Sequence, residues 1–113
     1  MRSYEAALTL FRDIGACLGE ANTLAALSRL HLDIDPTTSR QLLEQALTLQ
    51  RLINDRYSEG ADLGNYGIAL MQRGRNAEAL PYLQQAREVF AALQMAHQVE
   101  MADQLIAQAS AGG

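Results

Sequence analysis

The amino-acid sequence repeats itself at an interval of about 40 residues, and a repeat of this length restricts the chain to a small set of folds. The segment ALTLFRDIG begins at Ala7, recurs as ALTLQRLIN from Ala46, and returns more weakly as AREVFAALQ from Ala86. Between these copies, LAALS from Leu24 aligns with LGNYG from Leu63. Two different segments that alternate at one period indicate a unit of two helices, repeated along the chain.

Composition and local signals also favour helices. Hydrophobic residues make up 49% of the chain and aromatic residues only 5%, and Ala and Leu, which supply most of the hydrophobic fraction, favour helix formation. Asp35 followed by Pro36 is typical of a helix start, whereas Gly74 is placed to end a helix and Asn76 to cap the next one. Pro81 should bend the fifth helix slightly without breaking it. The apolar periodicity predicts six helices, at 2–15, 19–34, 36–54, 57–73, 76–94 and 97–110.

One stretch of the sequence resembles the tetratricopeptide repeat family. Eight of its residues fall on signature positions of that family, namely Leu63, Tyr66, Gly67, Leu70, Gly74, Ala79, Leu83 and Ala86. The preceding unit has similar residues at the same places, which are Leu24, Leu27, Ser28, Ser39, Leu43 and Ala46. Gly67 and Ala79 correspond to the point where the two helices of a unit cross, and a large side chain there would push the helices apart. The interval exceeds the usual period of about 34 residues, as in long-repeat members of the family.

The resemblance implies an all-α fold, an α-solenoid of antiparallel helix pairs that winds into a right-handed superhelix. The chain is then a single domain over residues 1–113, made of a half repeat 1–15, a repeat 19–54, a repeat 57–94 and a terminal capping helix 97–110. The first helix should expose an apolar strip drawn from Tyr4, Leu8, Phe11 and Ile14. Such a strip is usually a contact surface, so we expect either a homodimer through the N-terminal helix or a neighbouring segment that precedes it.

The net charge and the cysteine content indicate which partners and which cellular compartment to expect. The formal net charge is −4 and every one of the nine basic residues is Arg, so the sequence lacks the basic stripe that attracts nucleic acids or anionic membranes. Cys17 falls in a predicted turn. Because it is the single cysteine, an intrachain disulfide is excluded. The N-terminal residues do not follow the pattern of a secretory signal, and no apolar run is long enough to span a bilayer. We therefore expect a cytoplasmic protein.

The titratable residues form no recognisable catalytic or metal-binding pattern. His31 and His97 lie in different repeats, without Cys, Asp or Glu at ligand spacing, and a partly buried packing role is expected for His31. Glu20, Glu59 and Glu100 each lie near the start of the first helix of a unit, where the helix dipole favours a negative charge. We therefore expect no enzymatic activity, no metal site and no other cofactor.

The remaining candidate site is a surface. In the tetratricopeptide repeat family the first helix of each unit lines a concave groove that holds a partner peptide. The groove positions of the family correspond in this sequence to Asn22, Arg29, Asn65, Ile68, Gln72 and Gln104. Amide side chains can both donate to and accept from a peptide backbone, and Arg29 could bind a carboxylate. The carboxylate clamp of chaperone-binding members is not expected, because Lys is absent and Ala26 stands where a partner of Asn65 is needed.

These features favour a protein–protein interaction module or scaffold that is part of a larger protein. It would bind a protein or peptide partner through the concave groove or through an exposed end of the array. One alternative is a regulatory sensor fragment of a bacterial-type signalling protein, in which ligand binding shifts the superhelix. Another is a self-associating structural repeat. No binding to nucleic acid or to a membrane is expected.

Overall fold

The computed structural model describes the backbone of residues 2–112 and the side chains of residues 15–111. Within this range the chain is helical and contains no strand, so the prediction of an all-helical chain is confirmed. Its elements are α1 (Arg2–Leu30), a 3-10 turn (His31–Asp33), α2 (Pro36–Leu52), α3 (Arg56–Gln72), α4 (Asn76–Ala92) and α5 (Ala96–Gly112). Of these described helices, none combines the length and the apolar character that crossing a membrane requires.

The chain divides into two compact units, Met1–Asn54 and Asp55–Gly113. The first unit holds α1, the 3-10 turn and α2, and the second holds α3, α4 and α5, with each helix packed on its neighbour in the unit. The apolar strip expected on the N-terminal helix lies outside the described side chains, since it consists of Tyr4, Leu8, Phe11 and Ile14. The homodimer expected through that strip stays a prediction.

The predicted turn between residues 15 and 19 is wrong, because a single helix runs through it. The sequence predicts helices at 2–15 and 19–34, but the structure has α1 over Arg2–Leu30, so the described chain has five α-helices and not six. Gly15 and Gly19 lack the positive φ that Gly74 adopts. A glycine inside a helix costs only about 1 kcal/mol, and no proline lies between the two, so the helix-favouring neighbours prevail. Cys17 is therefore half-buried within α1 and not in a turn.

The contacts of the first unit show that α1 and α2 run antiparallel. Ser39, near the start of α2, is hydrogen-bonded to Ser28, near the end of α1. Ala46, later in α2, packs instead with Ala21 and Ala25, which come earlier in α1. Moving forward along α2 thus means moving backward along α1, and the small alanine side chains let the two helices approach closely.

The start of α2 follows the predicted signal. Pro36 is its first residue, and the Asp35 carboxylate accepts hydrogen bonds from the backbone N–H groups of Thr37 and Thr38, at 3.1 and 3.4 Å. The Thr38 hydroxyl donates to the second carboxylate oxygen at 2.7 Å. These bonds, the hydroxyl of Thr38 foremost, lower the pKa of the Asp35 carboxyl from its ordinary value, because they stabilise the charged form.

Three helices are each followed, two residues after their last residue, by a residue with positive φ, and these three residues are evenly spaced along the chain. They are Asn54 after α2, Gly74 after α3 and Gln94 after α4, with φ of 57°, 73° and 59°. In the second unit, the backbone N–H of the residue after each positive-φ residue donates a hydrogen bond to a carbonyl of the preceding helix. Arg75 donates to Leu70 and Met95 donates to Phe90, both at 2.9 Å. Gly74 therefore ends α3 as predicted.

The expected capping role of Asn76 is wrong. Arg75 is the N-cap of α4 and forms no side-chain cap, and Asn76 is already the first helical residue. Because Asn76 already belongs to the helix, the N-cap position falls on the preceding residue, Arg75. Pro81 lies inside α4, which continues through it as expected.

Candidate functional site

The close crossing of α3 and α4 depends on the absence of a side chain at Gly67. A Cβ atom there would lie 2.7 Å from Leu83 Cδ2 and 3.4 Å from the Ala79 carbonyl oxygen. Atoms cannot approach so closely without displacement of the helix or of Leu83, which is itself fully buried. The expectation that Gly67 and Ala79 lie at the helix crossing is confirmed, and this crossing fixes how α3 and α4 present their other faces.

Next to this crossing, α3, α4 and α5 border an open cleft of about 150 Å³. Apolar groups dominate its lining, and Leu83, Ala86 and Phe90 from α4 form its base, since they are buried. Its full lining is Gly60, Ala61, Gly64, Asn65, Ile68, Leu83, Ala86, Phe90, Gln98, Met101, Ala102 and Leu105. This space is the α3–α5 cleft.

Two glycines of α3, one helical turn apart, form one wall of the α3–α5 cleft, and they differ in what surrounds them. A Cβ atom on Gly60 would lie 3.0 Å from both Phe90 Cζ and Val89 Cγ1, so packing against α4 explains this glycine. A Cβ atom on Gly64 would meet only the Ala86 Cβ, at an ordinary 3.8 Å. Packing therefore leaves room for a larger residue at position 64, and the room is part of the cleft.

The polar groups of the cleft lining are two amides and no charges. Asn65 of α3 is exposed and Gln98 of α5 is half-buried. Among the side chains that the structure describes, no Asp, Glu, Arg or His contributes to the lining. Met101 is 49% exposed although it is a large apolar side chain, so the entrance of the cleft leaves apolar surface in contact with water. Such a surface, apolar with a few amides, suits an uncharged ligand.

The structure brings only two of the predicted groove residues together. Asn65 and Ile68 both line the α3–α5 cleft, whereas Gln72 and Gln104 are exposed on α3 and α5 and do not line it. The remaining two predicted residues belong to the first unit, in which Asn22 is exposed and Arg29 is half-buried on α1.

Several cleft residues were missed by reasoning from family positions. On α5 the apolar residues Met101 and Leu105 line the cleft, and their spacing of four positions is a signal for one helix face. Gly60 and Gly64 have the same spacing on α3. A pair of glycines on one face of a predicted helix could have indicated a close approach or an open space.

The titratable residues singled out in the sequence include Glu59, His31 and His97, and the structure shows what two of them contact. Glu59, in the first turn of α3, is buried and pairs with Arg56, whose Nε lies 3.1 Å from its Oε1. His31 is half-buried as expected, and its Nδ1 lies 2.9 Å from the Leu27 carbonyl oxygen, to which it can donate. His97 is exposed at the start of α5. Among the described residues, no group of three or more His, Cys, Asp or Glu is placed to hold a metal ion.

Comparison with known proteins finds no family model, no curated protein and no solved structure that matches the chain. The resemblance to the tetratricopeptide repeat family therefore stays a prediction from the residues quoted above.

Proposed function

We propose that this chain is a protein–protein interaction module that binds a segment of a partner protein in the α3–α5 cleft. The observation that carries the proposal is the composition of the cleft lining, an apolar base bordered by the amides of Asn65 and Gln98, with no charged side chain among the described lining residues. Clefts that combine apolar walls with a few polar groups are the usual form of binding sites. Two amides can bind a peptide backbone irrespective of its sequence.

We also propose that the helices form an α-solenoid of the tetratricopeptide type. Support comes from their regularity, because α2, α3, α4 and α5 each have 17 residues. The positive-φ residues that end three of them, Asn54, Gly74 and Gln94, recur at an even spacing. Helices of equal length and turns repeated at a fixed interval are what a solenoid requires.

The proposed function can be tested by selecting peptides from a random phage-displayed library on the full-length chain and measuring their affinities by calorimetry. Met101→Asp should weaken binding at least tenfold, because it places a charge at the apolar entrance of the cleft. Gln108→Asp is the matched control, since it adds the same charge to an exposed position of α5 that does not line the cleft. If no peptide binds saturably, or if both variants bind equally well, the proposal is wrong.

A self-associating repeat is the second candidate function. It is favoured by the three most exposed large apolar side chains among the described residues of the first unit, Leu30 at 66%, Ile34 at 75% and Leu52 at 76%. Exposed apolar groups of this size favour association when they form a patch. Light scattering should then show a mass that rises with concentration and falls to that of the monomer in Leu52→Glu. A monomer at every concentration would exclude this candidate.

A further inference from the structure

Gly64 is a residue whose identity the packing of the protein does not explain. It lies in the interior of α3, where glycine is less favourable than alanine because it loses more conformational freedom on folding. Its surroundings would accept a methyl group, since the nearest atom to a Cβ there is the Ala86 Cβ at 3.8 Å. Gly60 and Gly67, on the same helix, are both crowded by α4 side chains. Gly64 alone among these three lowers helix stability without a packing reason.

What Gly64 does instead is leave space in the α3–α5 cleft, which it lines. Glycine in an ordered element often marks a place where a ligand approaches the backbone closely. The volume of the cleft, about 150 Å³, is that of cavities that bind benzene. The space thus matches one large apolar side chain, such as that of Phe or Leu.

The charge and polarity of the lining specify the occupant further. None of the described residues that line the cleft is ionisable, so a charged group that entered it would lose hydration without a compensating partner. The amides of Asn65 and Gln98 lie in the same lining, where they can bind the polar backbone on either side of an apolar side chain. A peptide segment offers backbone N–H and carbonyl groups to both amides, whereas a hydrocarbon or lipid chain offers them no hydrogen bond.

We propose that the α3–α5 cleft binds one uncharged apolar side chain, of the size of Phe or Leu, from a peptide segment of a partner protein, and that Gly64 keeps the cleft open for it. This inference rests on the proposed function, because it names the chemistry of the partner segment. It makes Gly64 a specificity-determining residue, since the volume left at position 64 sets the largest side chain that fits.

The test uses the full-length chain, labelled with nitrogen-15, and three probes: the N-acetyl methylamides of phenylalanine, leucine and lysine. For ligands of this size we expect dissociation constants on the order of 1 mM, measured from amide chemical shifts. The phenylalanine and leucine probes should shift the amide signals of Gly64, Asn65 and Leu105. The lysine probe should bind at least about tenfold more weakly, because its charge cannot be paired in the cleft.

Two substitutions at one position separate the binding role of Gly64 from a structural one. Gly64→Ala should raise the thermal unfolding midpoint, because alanine favours the helix, and weaken the phenylalanine probe several-fold. Gly64→Leu should abolish binding of both apolar probes. Gly19→Ala is the matched control, since a Cβ atom on this exposed helical glycine meets nothing within 4 Å. It should raise the midpoint in the same way and leave probe affinity unchanged.

Each contrary result overturns the inference. Equal affinity of the lysine and phenylalanine probes would show that the cleft does not select apolar side chains. Unchanged probe affinity in Gly64→Ala, the variant least able to disturb folding, would show that position 64 does not set the size limit. Concentration-dependent dimerisation that Gly64→Leu abolishes would assign the cleft to a second copy of the chain. If phage-selected peptides bind the wild-type chain and both Gly64 variants with the same affinity, the proposed function stands and this inference fails.

Discussion

The hydroxyl of Ser39 donates a 2.5 Å hydrogen bond to the backbone carbonyl oxygen of Ser28, and this bond joins α2 to α1 where the two helices cross. Both serines are fully buried. The corresponding residues of the second unit are Ala79 and Gly67, and there the crossing is filled by the side chain of Leu83. One repeated position is therefore stabilised by a polar contact in the first unit and by apolar packing in the second.

Removal of the Ser39 hydroxyl should destabilise the first unit moderately. Ser39→Ala deletes a buried hydrogen bond between helices but leaves a small side chain, as Ala79 does in the second unit, so we expect a loss of about 0.5–1.5 kcal/mol in the free energy of unfolding. Urea unfolding followed by circular dichroism measures it. Thr48→Ala serves as the control, because it removes an exposed hydroxyl bond within the same helix and should change stability by less than about 0.5 kcal/mol. Equal effects of the two substitutions would show that the contact between helices contributes nothing.

A methyl group on Gly67 should have the opposite effect from one on Gly64. Gly67→Ala places a Cβ atom 2.7 Å from Leu83 Cδ2 and is expected to destabilise the second unit by roughly 1–3 kcal/mol, the usual effect of overpacking. Gly64→Ala meets no such obstacle and should stabilise by roughly 0.5–1 kcal/mol. Chemical denaturation of both variants gives the comparison.

A double-mutant cycle identifies Leu83 as the cause of the Gly67 effect. Leu83→Ala removes the atoms that a methyl group on Gly67 would meet, so Gly67→Ala should cost less in the Leu83→Ala background than in the wild type. The coupling energy should be at least about 0.5 kcal/mol, as is usual for residues in contact. Additive effects of the two substitutions would mean that the obstacle is the α4 backbone instead.

Replacing Gln94, the residue with positive φ after α4, by glycine should stabilise the protein. Gln94 adopts φ of 59°, a conformation that costs a residue with a Cβ atom about 1 kcal/mol, and Gly74 occupies the same place after α3. Gln94→Gly should therefore raise the free energy of unfolding by up to about 1 kcal/mol, and Gly74→Ala should lower it by a similar amount. Thermal and urea unfolding of the two variants provide the measurement. Loss of stability in Gln94→Gly would show that the Gln94 side chain contributes more than its backbone strain costs.

The sequence predicted those helix boundaries for which a local interaction decides the outcome. Asp35 and Pro36 start α2 because their own atoms satisfy or avoid the first N–H groups, and Gly74 ends α3 because its φ is positive. Gly15 and Gly19 carry no such local cause. A helix and a turn are both compatible with two glycines and small neighbours, and the continuity of α1 depends on the surrounding helix-forming residues.

The candidate site was predictable only in part for a similar reason. Asn65 and Ile68 were found because the family pattern places groove residues at fixed positions of α3. Gly64 could not be distinguished from Gly60 in the sequence, since the difference is whether a side chain of α4 lies opposite. That depends on Phe90, which belongs to the next helix and lies far from Gly60 along the chain.

The cap of α2 should make stability depend on pH in the acid range. Hydrogen bonds from Thr38 and Thr37 lower the pKa of the Asp35 carboxyl in the folded chain below its ordinary value of 3.8. A carboxyl whose pKa is lower in the folded state contributes stability above the unfolded pKa and loses it as the pH falls through the folded pKa. The contribution of Asp35 should therefore be complete above about pH 4–5 and should decline below pH 3.8.

Asp35→Asn is the variant that isolates the charge of this cap. Thermal unfolding midpoints of the wild type and of Asp35→Asn, recorded from pH 2 to pH 7, measure the difference. Because asparagine can also accept from the N–H groups but does not titrate, the variant should be less stable than the wild type near neutral pH and the gap should narrow towards pH 2. A gap that stays constant over this range would show that the charge of Asp35 does not stabilise α2.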